Sequence, residues 1–271
     1  MVIVLRCVLI LAFMAPPLAY PQSAELKDKT YAVALDDWQR SAGQMRATRA
    51  GTHPEWARAL FATWEEEEKK PNKGRVIELV TNPKDAREMG AALEWLRARV
   101  LLDQSDARYS FAYAFNLFRT RDQGGDYRTE AIHFFLHGKI AIRIDGARCA
   151  NASAPANKIL GLESQLKELE AFTQTMPPRA FWIARLMAVA LEDFVGPRER
   201  QEWLCSGGLT AVQDFRDLQE VPTPPGGIGR TFVIDGSKAE FIEDAEWRKR
   251  RDEYLSGSRK QALTLPTPEA R

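Results

Sequence analysis

The chain has three histidines, His53, His133 and His137. The last two lie four residues apart in the stretch EAIHFFLHGK. On a helix, residues i and i+4 share a face. Glu130, three residues before His133, joins that face, and Asp126 lies one turn further back. At about 100° per residue, Asp126, Glu130, His133 and His137 fall within about 60° of one another. Two imidazoles and a carboxylate on one helix face can bind Zn²⁺ or another transition metal. They can also hold a small polar ligand and respond to pH near neutrality. Glu130, His133 and His137 are therefore the candidate metal- and ligand-binding residues. The competing reading is a polar stripe that meets water or pairs with a basic residue.

Other catalytic patterns do not appear. The spacing His-Glu-x-x-His is missing, since Phe134 follows His133, and no second Glu-x-x-His completes a carboxylate di-metal set. There is no Gly-x-Ser-x-Gly elbow, no phosphate-binding loop and no dinucleotide fingerprint. No catalytic residue is assigned, and nothing in the sequence specifies a cofactor.

Cysteine chemistry is the second question. The chain holds Cys7, Cys149 and Cys205. Cys7 sits in a leader-like start: Arg6 is a minimal basic region, Val8 to Ala15 is apolar, Pro16 and Pro17 break the run, and Ala19, Ser23 and Ala24 are small. That layout predicts a cleaved signal peptide over residues 1–24 and a periplasmic or secreted mature chain. An uncleaved membrane anchor is the alternative; no later segment is apolar enough to span a bilayer. Export leaves Cys149 and Cys205 as the remaining thiols, and an oxidising compartment favours pairing them. The bridge would close a loop of about 56 residues and add roughly 3–4 kcal/mol on a chain-entropy estimate.

Charge narrows the partners. Lys plus Arg number 38 and Asp plus Glu 37. This chain lacks the basic excess expected of a nucleic-acid binder or a polybasic membrane binder. Another protein is the expected partner.

The elements that must position these residues read as helices. Residues 25–49 carry Leu26, Val33, Trp38 and Met45 at helical spacing. Thr52 is the expected cap of a helix with Trp56, Leu60, Phe61 and Trp64 on its apolar face. Asn82 and Pro83 should open another, lined by Met89, Leu93, Leu96 and Val100. Helices are expected over 106–119, 126–148, 159–172, 209–218 and 238–255, the last with Phe241, Ile242, Trp247 and Tyr254. A further helix begins at Pro177-Pro178 and stops at Gly196-Pro197. A short extended segment is expected near 231–234. The expectation is all-α: a single domain over 25–255, about eight or nine helices packed as antiparallel hairpins, followed by a disordered C-terminal tail over 256–271. Its function is expected to be that of an exported, non-enzymatic binding or envelope accessory factor. The alternative is a metal- or small-ligand-binding protein, or an enzyme, using Glu130, His133 and His137.

Overall fold

Residues 128–146 carry apolar side chains on nearly every side, so the helix they form must sit inside the fold. It does: Ile132, Phe134, Phe135, Ala141, Ile142 and Ile144 are all buried. The computed structural model describes residues 24–49, 53–70, 73–104, 106–207, 219–221, 231–233 and 239–264. The expected leader and the helix expected over 209–218 lie outside them.

The elements run α1 (Ala24–Arg49), α2 (Glu55–Glu68), α3 (Gly74–Thr81), α4 (Ala86–Leu101), α5 (Arg108–Arg119), α6 (Arg128–Gly146), α7 (Ser153–Gln165), α8 (Lys167–Thr175), α9 (Pro178–Val195), α10 (Glu202–Cys205) and α11 (Asp244–Ala262). Between α10 and α11, β1 (Gln219–Val221) pairs antiparallel with β2 (Thr231–Val233), matching Gln219 to Val233 and Val221 to Thr231. The fold is all-α, and one principal core draws on helices from α1 to α10. The central layer is α5, α6 and α9, with α1 covering α9 and α4 covering α5. A 3-10 turn over Thr120–Gln123 joins α5 to α6 and closes at Gly124, which adopts φ 86°. That left-handed conformation suits glycine. Gly138 lets α6 approach α5 closely, since a Cβ there would sit 2.9 Å from the Phe111 ring.

Among the described residues there are eleven helices where eight or nine were expected, for local reasons. Gly74–Thr81 is helical because Val76 and Val80, one turn apart, are both buried. The stretch expected as one helix over 159–172 is two, broken at the buried Leu166. A single turn forms at α10. Helix starts also differ. Asp85, not Asn82, caps α4: its carboxylate accepts from the backbone N–H of Arg87 at 2.8 Å and of Glu88 at 2.9 Å. Pro54 occupies the cap position of α2 without a side-chain bond, and Thr52 lies outside the described residues. Two apolar faces are rotated from expectation. Val33 is 56% exposed while Ala34, Trp38 and Ala42 are buried, and Trp56 is 42% exposed while Ala57 and Trp64 are buried. Phe241 and Ile242 precede α11 in extended backbone rather than lying on it. Finally, α11 continues to Ala262, past Ser256 where a tail was expected. Leu255 and Ala262 are buried, and Arg259 Nε donates to Asp193 Oδ2 at 2.7 Å. Residues 265–271 lie outside the described residues.

Candidate functional site

The histidine stripe lies on α6, and tertiary packing divides it. His137 is buried between α5 and α9. Its Nδ1 is 2.8 Å from Ser110 Oγ, and its Nε2 is 3.2 Å from Glu192 Oε2, at an angle too oblique for a good hydrogen bond. Burial pushes the imidazole toward its neutral form, against the opposing pull of Glu192. Ser110, His137 and Glu192 share the residue types and contact order of a nucleophile–base–carboxylate relay. However, Ser110 and His137 are each 2% exposed and Glu192 is 0% exposed, so substrate has no route to the hydroxyl.

His133, one turn earlier, faces a different place. With Glu130, Trp38, Tyr127 and Met187 it lines a groove of about 480 Å³ beside α1. Burial holds His133 down at about 4, so it is neutral at physiological pH, and burial raises Glu130 despite the charge of Arg97. The expected three-residue metal set is therefore not assembled. Glu130 and His133 share the groove, while His137 turns to Ser110 and Glu192. Among the described residues, no group of three His, Cys, Asp or Glu could hold a metal ion.

The densest charge network is one that helical periodicity does not flag. Arg198, just past the end of α9, is 4% exposed. Its Nε donates to Asp145 Oδ2 at 2.9 Å, its Nη1 to Glu192 Oε2 at 2.7 Å, and its Nη2 to Glu192 Oε1 at 3.1 Å and to the Ala141 carbonyl at 3.3 Å. One guanidinium thus ties α6 to α9 and satisfies two buried carboxylates. The two acids respond oppositely. Burial raises Asp145 well above the usual carboxylate range, and Arg198 only partly offsets it. Burial also penalises Glu192, but the Arg198 charge and the contact with His137 outweigh it and hold that carboxyl low.

The next turn of chain leads outward. Arg148 Nη1 donates to the Arg198 carbonyl at 2.7 Å, and its guanidinium stacks 3.5 Å from the centre of the Trp247 ring. Trp247 in turn donates its Nε1–H to the Ile144 carbonyl at 3.1 Å. The backbone of 148–150 is pinned as well: Ile242 N–H donates to the Arg148 carbonyl at 2.9 Å, and Ala150 N–H to the Glu240 carbonyl at 3.0 Å. Cys149 and Cys205 form a disulfide, which fastens α10 to the same point. At this junction opens a cleft of about 640 Å³, lined by the buried Arg148 and Arg198, by Trp247 and Arg251 of α11, and by Arg99 and Asp106.

No family model, curated protein or solved structure matches this chain. The site is a wide, charged cleft on a floor fixed by a disulfide, a buried Arg–carboxylate network and a short backbone pairing. The sequence did carry a trace of the network. Asp145 lies in the largely apolar run AIRIDGA and Glu192 closes the apolar run LMAVALE, and an acid buried on such a helix needs a cationic partner.

Proposed function

We propose that this chain is an exported, periplasmic or secreted, non-enzymatic binding protein, and that another protein docks in the cleft above Arg148 and Arg198. The observation carrying this reading is the construction of the cleft. Elements distant in sequence are cross-linked beneath it, which preorganises a surface rather than a reacting group. The nucleophile–base pair the fold does contain, Ser110–His137, is sealed in the core. The Cys149–Cys205 bridge is compatible with an oxidising compartment, and no helix among the described residues is long and apolar enough to cross a membrane.

Site-specific photocrosslinking in intact cells tests the reading. Glu199 lines the cleft and is exposed, whereas Ser164 is exposed on α7 and does not line it. A photoreactive side chain at position 199 should give one discrete adduct, and the same side chain at 164 should not. Equal adduct patterns from both positions, or none from either, would remove the docking assignment.

A further inference from the structure

The groove beside α1 shares no lining residue with the cleft, and its polar groups divide into matched and unmatched ones. Asp37 is engaged by Arg40, and Asp126 accepts from Arg128 Nε and Nη2 at 2.8 Å each. Ser41 Oγ accepts from Arg97 Nη2 at 2.7 Å. Glu130 and His133 differ. Among the described residues neither has a hydrogen-bond or ion-pair partner, yet both line the groove, half-buried, with no polar atom sealed. They stand three residues apart on α6, which places their Cβ atoms about 5–6 Å from one another. A partly desolvated polar group with no partner in the protein gains most from a hydrogen bond that a ligand supplies. Apolar surface lies beside them. Trp38 Nε1–H is spent on the Met187 carbonyl at 2.9 Å, so the indole offers the groove only its ring, and Tyr127, 41% exposed, adds a second ring open to solvent.

Charge selects the class of ligand. The lining holds Asp37, Asp126 and Glu130 but no lysine or arginine, which disfavours an anion. A cation is no better served. Arg40 and Arg128 already answer Asp37 and Asp126, Arg97 already acts on Glu130, and His133 is neutral at physiological pH. What remains is an uncharged ligand that has hydroxyls for Glu130 and His133 and an apolar face for the rings. We infer that this groove binds one ring of an uncharged sugar, with Glu130 and His133 taking its hydroxyls and Tyr127 packing on its C–H face. A carboxylate accepts from two neighbouring hydroxyls, and a neutral imidazole accepts at one nitrogen and donates at the other. Aromatic rings pack well on the apolar face of such a ring while its hydroxyls stay hydrogen-bonded. The volume of about 480 Å³ lies within the range of about 300–1,000 Å³ typical of small-molecule sites. This site is independent of the docking reading of the cleft.

The test uses the whole mature protein and the methyl glycosides of glucose, galactose, mannose and N-acetylglucosamine as probes. Methylammonium chloride and sodium acetate serve as charged probes at matched ionic strength. Histidine ring C–H resonances are followed by NMR, with His53, which lies beside Glu94 and outside the groove, as the internal control. At least one glycoside should move the His133 signal saturably and leave His53 in place. Tyr127 occupies the cap position of α6 without a side-chain cap bond, so Tyr127→Ala should keep the fold and weaken that glycoside by about tenfold. Tyr127→Phe, which keeps the ring, should bind as the wild type does. Glu130→Ala should weaken binding to a similar degree. The sugar site is overturned if no glycoside gives a saturable shift at His133, if His53 shifts equally, or if methylammonium or acetate binds more tightly. It is also overturned if Tyr127→Ala binds undiminished.

Discussion

Replacing Arg198 with methionine removes the one cation that serves two buried acids. Methionine fills comparable length, so the change is chiefly electrostatic. Asp145 and Glu192 have side chains 1% and 0% exposed, and without Arg198 both become buried carboxylates lacking their counterion. Breaking a buried ionic group this way costs about 3–5 kcal/mol. The deficit must depend on pH, and its sign follows from the two acids. In the wild type, Glu192 lies below its ordinary value, so its contribution is present above that value and lost as pH falls toward the folded one. Asp145 lies above its ordinary value, so it favours the folded state at low pH and loses that advantage as pH rises through its folded value. Without Arg198 both acids move up and take protons as the pH falls. The variant's deficit therefore shrinks on acidification. Urea unfolding followed by tryptophan fluorescence at about pH 7.5 and about pH 4.5 should give a deficit that falls by roughly 1–3 kcal/mol at the lower pH. Arg259→Gln, which removes a half-exposed cation paired to Asp193, is the control and should cost under about 1 kcal/mol. A deficit at neutral pH below about 1 kcal/mol, or one indifferent to pH, would refute the assignment of Arg198 as the essential counterion.

Three further outcomes are expected. Replacing both Cys149 and Cys205 by alanine should lower stability by about 4 kcal/mol, since the bridge spans a sequence separation of 56; an unchanged urea midpoint would count against that contribution. Gly138→Ala should destabilise by about 1–3 kcal/mol through collision with Phe111, whereas Gly90→Ala, on the exposed side of α4 with open space around it, should stabilise by about 0.5–1 kcal/mol; thermal melts that reverse the order would show the α5–α6 approach to be looser than described. The His133 ring should titrate near 4 by NMR, because burial disfavours its charged form. Its folded value lies below the unfolded one, so it contributes stability present above about 6.5 and lost as pH falls toward 4, and a midpoint near 6.5 would place the ring in open water.

Helix existence was legible from local pattern. Residues 128–146 could hardly be anything but a buried helix, and Pro177-Pro178 and Gly196 bracket α9 as their backbone preferences require. Helix starts and faces were less so. Asp85 outcompeted Asn82 as a cap because its carboxylate reaches two N–H groups. Val33 and Trp56 turned outward because neighbouring alanines, small enough for close helix contact, faced in. At the candidate site, the helical wheel placed His133 and His137 on one face correctly, but a face of α6 meets different neighbours at successive turns. One histidine lies beside an open groove and the other beside Glu192.

The sequence by itself determined the helical class and the apolar character of the helix expected over 126–148, and with the expected leader set aside it left Cys149 and Cys205 as the pair, because periodicity and cysteine count are local or combinatorial properties. Only the tertiary structure decided which charges meet. Arg198 finds Asp145 across 53 residues, and Trp247 finds Ile144 and Arg148 from a helix near the far end of the chain. Such pairings depend on how helices stack, and electrostatic energy depends on distance and burial in that stack rather than on position along the chain.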